Sequence, residues 1–287
     1  MRVGLIGLGA MGWPMAANLY KNNLLALVNN RSHEKAMAFS SEFPCQVSED
    51  LSEFAECNVV VTCVSADEDV LALVDTLKTL LKPDSIIIDC STIKSVTAKT
   101  AASRLDEKQL HFIDAPVTGG TEGAKAATLG IMVGAEEEPF HRVIPVLQAM
   151  GKTIEHMGPV GSGQATKAAN QIACAGINQA VTEALAFAQA HDLPMAKVIQ
   201  VLNSGAAGNW FLEKRGPTMI NDEFPLGFKV SLHAKDLKIC QDMAAQFDAR
   251  LPTVEMTLIH YDRLMNQEDG DKDISALFQL KRDLFKR

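Results

Sequence analysis

Gly7, Gly9 and Gly12 stand at G-x-G-x-x-G spacing in "GLIGLGAMGWPMAANL", between an apolar run and a helical pattern. That spacing suits a dinucleotide. The first glycine permits a tight turn, the second lets a pyrophosphate approach the backbone, and the third lets helix and strand pack closely. Phosphate then meets the unpaired N–H groups of a helix start. Leu8, Ala10 and Met11 complete this cofactor-binding turn. About twenty residues on, such turns usually meet an acidic residue that holds a free ribose 2′-hydroxyl. Here the second apolar run ends in "VNNRS", with Asn30, Arg31 and Ser32. Neutral Asn30 removes the repulsion of a 2′-phosphate, and Arg31 offers a planar fork suited to one. The alternative for Arg31 is a solvated surface charge. Ser32 can add a hydroxyl donor or cap the following helix. The stretch points to NADP(H).

Three further stretches carry chemistry. "DAPVTGG" (residues 114–120) follows the fifth major apolar run, where Thr118 offers a hydroxyl and Gly119 and Gly120 can expose N–H groups to an anion. Its simpler reading is a glycine turn. "GPVGSGQATKAANQ" (158–171) has Gly158 and Gly163 at P-loop spacing, but Gln164 and Ala165 stand where lysine and a hydroxyl residue belong, so it is no Walker motif. The helix it opens places Lys167, Asn170, Gln171, Asn178 and Thr182 on one face. Such a stripe on a buried helix needs partners. It either serves a site or binds neighbouring backbone. "SLHAKDL" sets Lys235 beside Asp236, by default an exposed ion pair, and His233 reads as a packing or surface residue. The seven histidines form no triad or metal motif, and no metal is expected.

These residues need a scaffold. "RVGLIGL", "LLALVNN", "NVVVTCV", "SIIIDC" and "HFIDAP" are near-continuous apolar runs, as strands covered on both faces should be. Helical patterns at 34–41, 67–81 and 96–107 separate them, which predicts a parallel, doubly wound α/β sheet. Further strands are expected at "LGIMVG" and "TIEHMG", around a helix at 137–150. From 164 the pattern is helical throughout, with segments at 164–191, 195–203, 210–221, 231–248, 253–267 and 273–286. The reading is a Rossmann domain over residues 1–161 and an all-α domain over 162–287, opened by a long helix.

Composition excludes other classes. With 47% hydrophobic and 22% charged residues the 287-residue chain has ample core, and a net charge of −8 argues against nucleic acid or anionic membrane as partner. No apolar run spans a bilayer, because Asn170, Gln171, Asn178, Gln179 and Glu183 interrupt the Ala-rich segment. The first strand starts so near Met1 that no signal peptide is expected. Six cysteines without C-x-x-C pairing read as reduced core residues of a cytoplasmic protein.

Taken together, "GLIGLGAMGWPMAANL", "DAPVTGG", "GSGQATKAANQ" and "LHAKDL" in this order resemble the β-hydroxyacid dehydrogenases. That family includes 3-hydroxyisobutyrate dehydrogenase, tartronate semialdehyde reductase and the glyoxylate/succinic semialdehyde reductases. "NRS" is similar to the NADPH-using members, and "SGAAGNWFLEKRGP" to 2-hydroxy-3-oxopropionate reductases. The resemblance implies Lys167 as catalytic acid/base and Thr118, Gly119 and Gly120 as holders of a substrate carboxylate. It places Thr92 and Lys235 on the nicotinamide side, with Val64 and Ser65 beside the cofactor. It also implies a small aldehyde-acid or hydroxy-acid substrate and a homodimer or homotetramer. Two departures stand out. Thr118 replaces the usual serine, which is expected to narrow the pocket by a methyl. Gln171 replaces an asparagine, so either Asn170 or Gln171 orients the substrate. Lys167 argues against an imine reductase and against a silent NADP-binding scaffold, and "KAANQ" lacks the histidine of 6-phosphogluconate dehydrogenases.

Overall fold

The run Val3–Ile6 forms β1 with every residue buried, since aliphatic side chains without polar alternation fit a strand covered on both faces. The structure, a computed structural model, describes residues 1–286. The first half continues with α1 (Gly12–Lys21), β2 (Leu25–Asn29), α2 (His33–Glu42), β3 (Gln46–Val47), β4 (Val59–Thr62), α3 (Asp67–Leu80), β5 (Ile86–Asp89), α4 (Ser95–Asp106) and β6 (His111–Asp114). The order across the sheet is β3-β2-β1-β4-β5-β6, and each neighbouring pair is parallel. Successive residues of one strand feed opposite cores. Val59, Val61, Ile86 and Ile88 pack with Met15 and Leu19 of α1, whereas Val60 and Ile87 pack with Val74 of α3 and Ala101 of α4. The sheet is doubly wound, and the strand order reverses between β1 and β4, where ligands bind in such folds.

Beyond β6 the expected further strands extend the parallel sheet with mixed directions. The chain forms β7 (Val117–Thr118), α5 (Gly120–Lys125), β8 (Leu129–Gly134), α6 (Glu137–Met150) and β9 (Gly151–Gly158). β8 runs antiparallel to β6 and β7, and β9 runs parallel to β8. A short connection permits an antiparallel return, while the longer α6 carries the chain back for a parallel pair.

The helical half holds α7 (Ser162–Ala190), α8 (Met195–Asn203), α9 (Trp210–Met219), α10 (Val230–Ala245), α11 (Pro252–Asn266) and α12 (Leu277–Asp283). A single helix over 273–286 is not found. Asp273 accepts from the backbone N–H and hydroxyl of Ser275, which tightens Ile274–Ala276 into a 3₁₀ turn before α12. A core of Leu185, Leu212, Leu237, Leu258, Tyr261 and Phe278 joins these helices. Two compact units result, Met1–Lys167 and a second beginning at Ala168, so the division falls inside α7. Among the described residues no helix is long and apolar enough to cross a membrane. None of the six cysteines is disulfide-bonded.

Candidate active site

The turn after β1 tests whether a dinucleotide fits. Gly7 has φ +99°, and a Cβ there would stand 2.2 Å from the Cys63 carbonyl oxygen. A Cβ at Gly12 would stand 1.8 Å from the Gly7 oxygen, so the start of α1 rests directly on the turn. The protein itself demands both glycines. Gly9 differs: no atom lies within 4 Å of its would-be Cβ. Only a group laid against the backbone gives a bare Gly9 a purpose, as the pyrophosphate of a dinucleotide does. Asn30 takes a role beyond neutrality, because its Oδ1 accepts from Leu8 N at 2.9 Å and ties the end of β2 to the turn. Its Nδ2 donates to the Ser32 carbonyl at 3.1 Å. Arg31 and Ser32 are exposed, and Ser32 holds the N-cap position of α2 without a side-chain cap bond.

The carboxyl ends of β4, β5 and β6 carry the next group. Asp89 Oδ1, fully buried, accepts from Thr62 Oγ1 at 2.7 Å and Ser91 Oγ at 2.6 Å. Ser91 Oγ in turn accepts from Val64 N at 2.9 Å. The segments bearing Val64 and Thr92, both half-buried, are thus braced together, with Ser65 exposed beside them. Asp114 closes β6 and reaches the start of α7. Its Oδ1 accepts from Gly161 N at 2.6 Å and its Oδ2 from Gln164 N at 2.8 Å. These are orphan donors of a helix start, and a carboxylate suits them doubly, by hydrogen bond and by dipole. Burial nevertheless dominates and raises the carboxyl to about 6, against the pull of the two backbone donors. The fit is tight: a Cβ at Gly134 would lie 2.3 Å from Asp114 Oδ1, and one at Gly163 would lie 2.8 Å from Oδ2.

Lys167 follows within the same helix turns. Its side chain is buried, and Nζ donates to the Val117 carbonyl at 2.9 Å, which sets the ammonium at the base of the loop 118–120. Thr118 is half-buried, and Gly119 (φ +118°) and Gly120 (φ +63°) occupy left-handed conformations that open α5. The extra methyl of Thr118 does not face open space. It lies over Gly130 across the β7–β8 pair, where a Cβ would come within 2.9 Å of it.

The second unit gathers Asn170, Gln171, Lys235 and Asp236. Gln171 is buried; its Nε2 donates to Asp236 Oδ2 at 2.7 Å and its Oε1 accepts from Asn170 Nδ2 at 2.8 Å. Lys235 Nζ pairs with Asp236 Oδ1 at 3.1 Å, so the partner of the lysine is a buried carboxylate rather than a surface charge. The far end of the helix stripe is structural. Asn178 Nδ2 donates to Tyr261 Oη at 3.0 Å and to the Ile274 carbonyl at 3.0 Å, and Thr182 Oγ1 donates to the Asn178 carbonyl. His233 is buried with Nδ1 2.9 Å from Tyr261 Oη and Nε2 3.3 Å from the Gln171 carbonyl. With a proton on Nε2 and a donating Tyr261 hydroxyl, both His233 nitrogens and the Tyr261 oxygen are matched.

Asp114 and Gln164 carry these arrangements, and the motifs contained them without assigning them work; Asp236, expected only as half of an exposed ion pair, is buried and also holds Gln171. A carboxylate ending an apolar strand was the available signal, since a buried one requires donors.

Comparison with known proteins agrees with this geometry. Residues 2–158 match the NAD binding domain of 6-phosphogluconate dehydrogenase, and residues 161–281 match the family described as NAD-binding of NADP-dependent 3-hydroxyisobutyrate dehydrogenase. The chain is 33% identical to 2-hydroxy-3-oxopropionate reductase of Escherichia coli, covering 97% of this chain and 96% of that one. It is 31% identical to NAD-dependent L-serine dehydrogenase of Pseudomonas aeruginosa, covering 97% of each. The solved structure of Mycobacterium tuberculosis 3-hydroxyisobutyrate dehydrogenase with L-serine superimposes with a TM-score of 0.90 at 29% identity, covering 98% of this chain and 100% of that one. A glycine turn built for a dinucleotide, a helical second half and relatives matched end to end leave one assignment: this chain belongs to the β-hydroxyacid dehydrogenase family and is an NAD(P)-dependent oxidoreductase.

Proposed function

We propose that the protein is an NADPH-dependent reductase of short aldehyde acids, best matched by 2-hydroxy-3-oxopropionate (tartronate semialdehyde), with 3-hydroxyisobutyrate or succinic semialdehyde/glyoxylate chemistry as the neighbouring alternatives. The observation that carries this reading is the buried Lys167 ammonium fixed at the base of the loop that bears Thr118. The names of the relatives share one skeleton. 2-Hydroxy-3-oxopropionate, L-serine and 3-hydroxyisobutyrate are all substituted propanoates with an oxygen at C3, and they differ at C2. A site for such molecules must fix one carboxylate and one C3 oxygen, whatever C2 carries.

Residues 7–12 hold the pyrophosphate, with the turn braced by Asn30. Arg31 and Ser32 take the 2′-phosphate, which favours NADPH over NADH. Val64, Ser65, Thr92 and Lys235 face the cofactor. When bound, the reduced nicotinamide supplies the hydride. Thr118, Gly119 and Gly120 anchor the substrate carboxylate and so fix the carbonyl in position. Lys167 donates a hydrogen bond to the carbonyl oxygen and then a proton to the developing alkoxide. Either Asn170 or Gln171 orients the substrate; the two carboxamides are bonded to each other, and Gln171 is also held by Asp236. We further read the protein as cytoplasmic and as a homodimer or homotetramer, since the second unit leaves Phe187, Met256, Ile259 and Leu284 exposed.

NADPH oxidation measured over a panel of C2–C4 aldehyde acids, with serine and hydroxy acids in the reverse direction, tests the activity. Lys167→Ala should lower kcat at least about a hundredfold while NADPH affinity stays within a few-fold. Retention of most of kcat would remove Lys167 as the acid.

A further inference from the structure

Gln164 spoils a P-loop match, and its side chain is 1% exposed. Its Oε1 accepts from Ile93 N at 3.2 Å and its Nε2 donates to the Ser91 carbonyl at 2.8 Å. The carboxamide therefore pairs with the main chain on both sides of Thr92, as an adjacent strand would. Its own backbone N–H donates to Asp114 Oδ2, so the residue is anchored at the carboxyl end of β6. Ser91 is held from the other direction through its hydroxyl, which accepts from Val64 N. Lys167 stands three residues along α7, the spacing at which helical side chains neighbour one another.

A space-filling role does not account for this. A hydrocarbon of equal length would fill the same volume but would leave a buried N–H and a buried carbonyl without partners. A carboxamide carries its donor and its acceptor on separate atoms, placed to meet both.

We propose that Gln164 is a positioning residue, which locks the segment carrying Thr92 to the helix turn carrying Lys167 and so keeps the cofactor-facing and proton-donating groups at one separation. The role rests on reading Lys167 as the acid and Thr92 as a cofactor-side residue. Misplacement by about 1 Å can cost about a hundredfold in rate, so such a lock matters to turnover more than to affinity.

Gln164→Met keeps the length and removes both bonds, and Gln164→Glu keeps the acceptor but sets a carboxylate oxygen against the Ser91 carbonyl. Hydrogen exchange over residues 92–94 in the protein without added cofactor should quicken at least about tenfold at Ile93 in Gln164→Met. In the same variant kcat should fall at least about tenfold, with the KM for the aldehyde acid within about threefold. Gln164→Glu should lose kcat as far or further, and it carries the comparison if Gln164→Met does not fold. Unchanged exchange at Ile93 together with unchanged kcat overturns the proposal, as does a kcat loss matched in full by a weaker NADPH Kd from fluorescence titration. Lys167→Ala measured alongside separates the two claims. Full kcat there overturns the underlying reading, whereas a collapsed Lys167→Ala beside an unaltered Gln164→Met overturns the lock alone.

Discussion

The cofactor turn and the lysine are held in opposite ways. The turn is made by what is missing: Gly7 and Gly12 allow backbone atoms to approach to distances that any Cβ would forbid. Lys167 is held by what is added, namely a buried carboxylate from one strand end capping its helix and a carbonyl from β7 receiving its ammonium. The glycines that allow these approaches cluster in one turn, so they leave a short pattern in the sequence. Side-chain constraints join residues some fifty positions apart and leave none.

The contrast can be broken at its strongest point first. Gly12→Ala should destabilise the fold by more than the roughly 1–3 kcal/mol of ordinary overpacking, because the clash is with backbone. Gly9→Ala should leave stability within about 0.5 kcal/mol, as a surface change does, yet weaken NADPH binding at least about tenfold. Urea denaturation and a cofactor titration on the same pair of variants check this; equal destabilisation by the two substitutions would show that the turn is not built as described.

Next in size is the pH dependence owed to Asp114. Its carboxyl titrates at about 6 in the folded chain against an ordinary 3.8. The folded state therefore keeps a proton that the unfolded chain has released over that interval. The stability this contributes is whole below about pH 4 and is lost as pH rises through about 6, an effect on the order of 3 kcal/mol. Asp114→Asn removes the titration, so the stability difference between the unaltered protein and the variant should shift across pH 4–6. A constant difference over that range would mean that the carboxylate is better solvated than its burial implies.

The smallest expected effect belongs to the exposed end of the turn. Arg31 should contribute one or two charge-assisted bonds to a 2′-phosphate, enough to favour NADPH by at least about tenfold. Arg31→Asp should abolish or invert that preference. Equal kcat/KM for NADPH and NADH in the unaltered enzyme would make Arg31 a surface charge.

The same contrast explains what could be read beforehand. β1, β4, β5 and β6 were legible as apolar runs because strands covered on both faces cannot alternate. β3 was not, since two partly exposed residues carry no period. α5 was hidden by Gly119 and Gly120, which read as breakers although their left-handed conformations open that helix. In the second unit spacing leaves the choice between Asn170 and Gln171 undecided, and Asp236, the partner of Gln171, lies sixty-five residues on, beyond any local pattern. The neighbour of the Thr118 methyl was hidden for a related reason: Gly130 lies across a strand pair that no local pattern announced.

α7 runs unbroken from Ser162 to Ala190, while the compact units divide after Lys167. A recombination event between relatives that exchanged everything beyond that point would leave the glycine turn, the Asp114 cap and Lys167 with the first parent. It would bring Asn170, Gln171, Lys235 and Asp236 from the second. In the proposed reaction the proton donor Lys167 and the amides Asn170 and Gln171 lie within four residues on one helix yet in different compact units, so such an exchange would replace the amides and keep the lysine.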